Sequence, residues 1–310
     1  MVGAFLLIVV GLSGDPEHGE LFHGWGETLA ASAVNLGIAE DRVIFLADDL
    51  ELAPGASARS TREAIEAAVD RIAGAAGGVE DQVFVVLFGH GTFDGRVARF
   101  NLPGPDLSAE DFDAVLDRLA PNPVVFVNTA SASGPFVEAL SGPGRTVATA
   151  TRSGAEQYVT LFGGYFVEAL TAEAADADRN RRVSILEAFN YSRLQVAEAY
   201  EREGLLATEH ALLDDNGDGE GSEEPTALEG DGMLAATLAL GSTDAAGLPA
   251  DPALRALYLE RQEMERRIES LRLLRAGMDP ARYAAELERL ATELALKTRE
   301  IRALEGTPNE

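Results

Sequence analysis

Two short apolar runs, each ending in small and polar residues, constrain the fold of this chain more than any other feature. The first reads QVFVVLFGHGTFDG over Gln82–Gly95, and the second reads NPVVFVNTASASGPF over Asn122–Phe136. Uninterrupted apolar runs of this length are typical of strands that are buried on both faces of a parallel sheet. Ligands and reactive groups in such sheets collect where the strands end. The two runs therefore predict an α/β sheet with a functional edge.

The polar ends of these runs carry the first candidates for chemistry. His90 follows the first run and is flanked by glycines, and Ser131 and Ser133 follow the second run. A histidine and a hydroxyl at neighbouring strand ends are the components of acyl-transfer chemistry. We therefore expect the functional edge to bring His90 close to a serine.

The rest of the first 240 residues alternates predicted strands with predicted helices. Strands are predicted over Ala4–Gly11, Val43–Leu46, Val83–Phe88, Val97–Leu102, Val124–Val127, Thr146–Thr151 and Leu234–Leu240. Helices are predicted over Leu21–Leu36, from a Ser60–Glu63 capping box to Ile72, from Ser108, over Tyr158–Leu170 and from Ser184. This alternation predicts a mostly parallel sheet with helices on both faces.

The chain changes character at residue 251. Asp-Pro pairs at 251–252 and 279–280 each place a capping residue before a proline at the first helical position, and Gly277 lies between the two segments. Apolar residues recur at helical spacing in both. We predict a coiled-coil-like helical hairpin over 251–307, following an α/β domain over 1–243. The apolar seams can pair with each other, with the main domain or with another subunit; a short loop favours the first, and self-association is an alternative.

Composition restricts the partners and the chemistry. The formal net charge of −27, from 52 acidic and 25 basic residues, disfavours nucleic acid and anionic membranes as partners. The absence of cysteine excludes disulfides, zinc thiolate sites and a thiol nucleophile. The apolar run Ala4–Val10 is too short to span a bilayer, so we expect a strand there and no membrane span. The compartment stays open, and export with a leader peptide outside this sequence is one alternative.

Beyond these patterns, the strand ending in His90-Gly91 and the later loop Thr129–Gly134 (TASASG) carry a family resemblance. They resemble the caspase and legumain type (clan CD) of cysteine peptidase, and are closest to legumain-like bacterial members. In that family the first strand ends in a catalytic His-Gly, and the second ends in Asp or Glu, Ala, Cys, any residue, Ser, Gly. Ser131 occupies the position of the nucleophilic cysteine. The resemblance covers about residues 4 to 240 and implies a three-layer, caspase-like α/β fold with a mostly parallel central sheet flanked by helices.

The resemblance also implies roles for individual residues. His90 would be the base, Ser131 would stand in the nucleophile position, and the backbone N–H groups of Gly91 and Ser131 would bind the oxyanion. Arg152 and Glu156 follow the predicted fifth strand, where family members line the pocket for the residue before the scissile bond. An arginine there suits an acidic or amide side chain, because its donors form a fork.

The serine changes the expected function. A thiol is inherently nucleophilic, whereas a serine hydroxyl needs a well-oriented base, which a buried carboxylate commonly positions. The candidate carboxylates are Asp15, Glu17, Glu20 and Asp94. The favoured interpretation is a catalytically impaired pseudopeptidase that serves as a binding or scaffold module for a peptide or protein. The alternatives are an active hydrolase in which His90 activates Ser131, an engineered replacement of a cysteine, and a calcium-dependent structural protein without a site.

The segment Asp176–Glu187 (DADRNRRVSILE) predicts one Ca²⁺ site. Its oxygen donors stand at positions one, three, five, seven, nine and twelve of a calcium loop, namely Asp176, Asp178, Asn180, the backbone carbonyl of Arg182, Ser184 and Glu187. The departure from the pattern is Arg181 at position six, where glycine normally makes the turn. An acidic turn that caps the following helix is the alternative. A second loop, Asp214–Pro225, has proline in place of the last carboxylate, so we expect a surface turn there; a calcium site completed by Glu223 or Glu224 is the alternative.

Overall fold

A computed structural model describes residues 3–77, 81–171, 173–180, 182–241, 251–273 and 279–305. The chain divides into two units, Met1–Ser242 and Thr243–Glu310. Gly277, Arg181 and the last residues of the predicted hairpin lie outside the described residues.

The described strands and helices alternate through the first unit. The strands are β1 (Ala4–Val10), β2 (Val43–Ala47), β3 (Ala58–Arg59), β4 (Gln82–Phe88), β5 (Gly91–Phe93), β6 (Ala98–Phe100), β7 (Leu107–Ser108), β8 (Val124–Asn128), β9 (Arg145–Thr149) and β10 (Leu212–Asp214). The helices are α1 (Pro16–Asn35), α2 (Arg62–Ala75), α3 (Ala109–Leu116), α4 (Phe136–Leu140), α5 (Phe162–Ala169), α6 (Ile185–Glu203), α7 (Pro252–Leu273) and α8 (Pro280–Glu305).

Seven of these strands form one sheet in the order β10-β9-β8-β4-β1-β2-β3. All neighbours are parallel except β10, which runs antiparallel to β9. A small antiparallel sheet of β5, β6 and β7 begins directly after β4. This architecture confirms the predicted α/β fold class with a mostly parallel central sheet. Because β1, β4 and β8 are adjacent and parallel, the loops that follow them meet at one edge.

Side chains of β1 alternate between two apolar cores. Leu6 and Ile8 belong to a core shared with α1, α5 and α6, whereas Phe5 and Leu7 belong to a core shared with α2 and α3. Successive strand side chains point to opposite faces, so a strand buried on both sides needs apolar residues at every position. The helices on the two faces and the sheet between them make three layers.

Helix α1 begins earlier than the predicted Leu21. The side chain of Asp15 accepts a hydrogen bond from the N–H of His18, and Pro16 occupies the first turn, so the helix starts at Pro16. Proline is well suited to this position because its missing N–H has no partner there in any helix. The early start brings His18 onto the helix and toward the functional edge.

The predicted capping role of Ser60 is wrong. Thr61 is the N-cap of α2, and its hydroxyl accepts a hydrogen bond from the N–H of Ala64 at 3.3 Å. Ser60 is fully buried, and its hydroxyl donates to the carbonyl of Val10 at 2.6 Å. Ser60 therefore ties the start of α2 to the end of β1.

The predicted strand over Leu234–Leu240 is also wrong. The segment forms turns, and its one ladder contact among the described residues is a bridge between Ser184 and Ala239. The N–H of Ile185 donates to the carbonyl of Leu238 at 2.8 Å, so these turns pack against the start of α6. Their apolar side chains fill the core from a turn, which explains why they resemble a strand. Helix α5 begins at Phe162 rather than Tyr158.

In the second unit, α7 and α8 pack against each other around a small apolar cluster. Ile268 and Leu271 of α7 and Leu290 of α8 are buried in it. Lys297 on α8 forms an ion pair with Glu260 on α7 at 2.8 Å. None of the described helices combines the length and the apolar character needed to cross a membrane.

Candidate functional site

The candidate site lies at the edge where β1, β4 and β8 end side by side. In the register of the sheet, Val10 pairs with Phe88 and Leu87 pairs with Asn128. Ser13, His90 and Ser131 follow these strand ends within a few residues, so three loops meet at this edge. The sheet order therefore accounts for the meeting of residues that are far apart in the sequence.

The imidazole of His90 is oriented by a backbone carbonyl. Its Nε2 lies 2.9 Å from the carbonyl oxygen of Ser13. Because a carbonyl only accepts, Nε2 carries the proton, and in the neutral ring Nδ1 keeps its lone pair. Burial lowers the pKa of His90; the bond to Ser13 opposes this effect, and nearby His18 adds to it. The site therefore favours a neutral ring with Nδ1 as the acceptor.

The hydroxyl of Ser131 is engaged by the backbone of Gly91. The N–H of Gly91 lies 3.3 Å from Oγ, and Oγ donates to the carbonyl of Gly91 at 3.2 Å. Ser131 is buried, and within the described part of the chain no hydrogen bond joins it to His90. Ala132, the next residue, has a φ of 54°, and its N–H donates to the carbonyl of Glu156 at 2.7 Å. Hydrogen bonds thus hold the loop at two points: Ser131 to Gly91, which follows His90, and Ala132 to Glu156.

The four candidate carboxylates do not orient His90. Asp15 binds His18 through its ring Nδ1 at 2.7 Å, and Asp94 binds Arg99 at 2.8 Å. The hydrogen bond from Arg99 and those from nearby backbone N–H groups lower the pKa of Asp94 to about 2. Glu17 and Glu20 are exposed on α1. Among the described residues, the one hydrogen bond of the His90 ring is donated to the Ser13 carbonyl.

Arg152 and Glu156, the predicted pocket residues, belong to a network of charged side chains. Arg152 lies between two carboxylates, 3.4 Å from Glu156 and 3.2 Å from Glu223. Glu156 also binds Nδ1 of His210 at 2.6 Å. The backbone of Glu156 contacts Ala132, so this network is adjacent to the Ser131 loop. An acidic ligand would have to displace a carboxylate from Arg152.

Glu209 and His210 are parts of this region that the sequence did not predict. Glu209 is buried, and its carboxylate accepts from the N–H groups of Leu161 and Phe162 at 2.8 and 3.2 Å. Burial raises the pKa of Glu209 to about 7. A cavity of about 130 Å³ lies here, lined in part by Arg193. The one sequence signal was the Glu-His pair before the apolar residues of β10. Because β10 is antiparallel, its beginning reaches the functional edge.

Three of the predicted metal ligands form a cluster. Carboxylate oxygens of Asp176, Asp178 and Glu187 lie within 4.8 Å of one another. Hydrogen bonds already hold Glu187: its Oε1 accepts from the N–H of Ala177 at 3.0 Å, and its Oε2 accepts from the N–H of Ser184 at 2.8 Å. Three converging carboxylates suit a hard divalent cation, and their backbone donors position them.

The other three predicted ligands have different contacts. Ser184 is the N-cap of α6 and forms a capping box with Glu187, its hydroxyl donating to Oε2 at 2.8 Å. The N–H of Asn180 donates to Asp176 at 2.8 Å and to Asp178 at 2.9 Å. The side chain of Arg182 donates to the carbonyl of Thr237. The segment therefore serves as a cap for α6.

The second acidic loop is a turn built on one buried carboxylate. Asp214 accepts hydrogen bonds from the N–H groups of Gly217 and Gly219 at 3.1 and 3.0 Å. Both glycines have positive φ angles, which glycine adopts without strain. The local hydrogen bonds account for the aspartates and glycines of this loop.

No family model matches this chain, and no curated protein matches it in a sequence search.

Proposed function

We propose that this chain is a peptidase-like protein of the caspase and legumain type that binds a peptide or protein without hydrolysing it. The fold is compatible with this proposal, since a mostly parallel sheet flanked by helices places a histidine and a small-residue loop at one edge. The resemblance of the His90-Gly91 and Thr129–Gly134 motifs supplies the family. Ser131 stands at the position of the catalytic cysteine, and this is why we propose that hydrolysis is lost.

One observation carries the proposal. The ring of His90 is oriented by the carbonyl of Ser13, and the hydroxyl of Ser131 bonds to Gly91. A carbonyl holds the ring in the right tautomer but brings no negative charge to stabilise the imidazolium that forms when a hydroxyl is deprotonated. A serine nucleophile depends on that help far more than a thiol does. The arrangement therefore favours binding over acyl transfer.

The second candidate function is an active hydrolase that uses Ser131 and His90. The favourable observation is the neutral His90 ring, whose Nδ1 is left as an acceptor by the bond at Nε2. A modest rotation of the loop on substrate binding would be needed, because catalytic hydrogen bonds often tighten only in the substrate complex.

The test measures binding and cleavage of the same peptide library side by side. We expect the wild type to bind a subset of peptides, to leave them intact by mass spectrometry, and to bind within about twofold of Ser131→Ala. Cleavage by the wild type that Ser131→Ala abolishes would overturn the proposal and establish the hydrolase. If no peptide binds either protein while both melt as the folded chain, the binding function is wrong.

We further propose that the cluster of Asp176, Asp178 and Glu187 holds one Ca²⁺ ion that stabilises the start of α6. Its support is the convergence of three carboxylates in the order of a calcium loop. The role would be structural, because the cluster supports α6.

A further inference from the structure

A pair of residues at the start of α1 lies against His90 and has no part in the proposed function. The carboxylate of Asp15 binds the ring Nδ1 of His18 at 2.7 Å and accepts from its backbone N–H at 3.0 Å. Both oxygens of Asp15 therefore engage the same residue, which fixes the position of the His18 ring. That ring meets the His90 ring edge-on, with 5.2 Å between centroids and 75° between planes.

Phe22 completes this group of rings one turn further along α1. Its ring is stacked on His18 at 5.9 Å and meets His90 edge-on at 5.2 Å. His90 is therefore packed against α1, and the titratable side chains that influence it from this helix are Asp15 and His18. From the strand ends, the neighbours that contact His90 are uncharged: the Ser13 carbonyl and the backbone of Gly91.

We propose that Asp15 and His18, held together beside the His90 ring, form an electrostatic pair that tunes the charge of His90. Protonated His18 places a positive charge beside the His90 ring and opposes its protonation, whereas the Asp15 carboxylate favours it. His18 is thus a positioning residue: it acts on His90 through charge and ring contact. The two charges thus act on the protonation of His90 in opposite directions, and this role holds whether or not the chain cleaves peptides.

An effect of burial alone on His90 can be distinguished from an electrostatic effect of its two neighbours. If desolvation alone set the charge of His90, removing a charge from either neighbour while keeping its bulk would leave the ring unchanged. The pair of opposite charges instead requires opposite responses to the loss of His18 and of Asp15. Two nearly isosteric substitutions separate these cases: His18→Phe keeps an aromatic ring, and Asp15→Asn keeps a good N-cap.

The experiment is a pH titration of the histidine C2–H signals by NMR. The chain has four histidines, so His90→Gln identifies the His90 signal directly. We expect His18→Phe to raise the apparent pKa of His90 by about half a unit or more, as a unit charge near 5 Å would even in water. We expect Asp15→Asn to lower it.

The wild type provides a measurement that depends on no variant. Protonation of one ring changes that of an interacting neighbour, so the His90 curve should be broader than a single-site curve. In His18→Phe the curve should narrow to a single site. A single-site His90 curve in the wild type would overturn the proposal. Shifts of the same sign in both folded variants, or no shift in either, would also overturn it.

Discussion

Gly91 and Ser131 satisfy each other: the N–H of Gly91 donates to Oγ of Ser131 at 3.3 Å, and Oγ donates back to the carbonyl of Gly91 at 3.2 Å. The hydroxyl thereby fills its donor and acceptor roles on the residue next to His90. A hydroxyl held this way is a hydrogen-bonded group of the loop, and in the described part of the chain it makes no hydrogen bond to His90.

Replacing Ser131 by cysteine should create peptide cleavage. A thiol forms weaker hydrogen bonds to Gly91 and is nucleophilic without a strongly oriented base, so the neutral His90 ring suffices. We expect Ser131→Cys to cleave peptides with Asn, Asp or Arg before the scissile bond at least about a hundredfold faster than Ser131→Ala. Rates are measured by mass spectrometry.

The control is the double variant Ser131→Cys with His90→Gln, which should lose the gained activity. An inert cysteine variant that is folded and whose thiol reacts normally with an alkylating agent would contradict the prediction.

Replacing Gly91 by alanine should destabilise the loop that carries Ser131. A Cβ at Gly91 would lie 2.1 Å from the backbone oxygen of Ser131, so the two strand ends would have to separate. We expect a loss of about 2 kcal/mol or more in the free energy of unfolding, measured by urea denaturation. The matched control is Gly24→Ala on α1, where nothing lies within 4 Å of the new Cβ. This control should be neutral or stabilising by up to about 1 kcal/mol. Equal effects of the two changes would refute the crowding argument.

Glu209 should make the fold less stable as pH rises. Burial raises its pKa from 4.5 to about 7, so the folded state binds the proton more tightly than the unfolded state. This contribution to stability is fully present below pH 4.5 and is lost as the pH rises to about 7. At about 1.4 kcal/mol per pKa unit, the loss amounts to roughly 3 kcal/mol.

Glu209→Gln removes this titration while keeping a similar shape. We therefore expect the wild type to lose stability relative to the variant as pH rises. The measurement is the free energy of unfolding of both proteins from about pH 4 to about pH 8. The control is Glu203→Gln, because Glu203 is exposed and is the last residue of α6. A difference that stays constant with pH would show that Glu209 has the same pKa in the folded and unfolded states, and would contradict the prediction.

Calcium should stabilise the chain through the cluster at the start of α6. Binding to the native state alone adds about 2.7 kcal/mol when the free ion is at a hundred times its dissociation constant. We expect the melting temperature to rise with CaCl₂ and to fall with a chelator. Asp178→Asn should abolish the response, whereas Asp218→Asn in the second acidic loop should keep it. A wild type that melts identically with calcium and with chelator would exclude the site.

Much of the fold followed from local sequence patterns. The uninterrupted apolar runs of β1, β4 and β8 predicted buried parallel strands, and the pattern at Ser108 predicted the start of α3, where Ser108 and Asp111 form a capping box. The same reasoning failed at Leu234–Leu240, because packing against α6 buries apolar residues of a turn as well as those of a strand. It failed at Ser60 because both Ser and Thr can cap a helix, and here the hydroxyl of Ser60 bonds to the nearby carbonyl of Val10 instead.

The sequence by itself determined the α/β class, the strand ends that carry His90 and Ser131, and the carboxylates of the acidic loop. Only the tertiary structure decided which groups these residues contact: Ser13 for His90, Gly91 for Ser131, and Glu156 for His210. The physical reason is that apolar periodicity and caps are local and act within a few residues. The partners of a polar side chain depend on the order and register of strands that are distant in the chain.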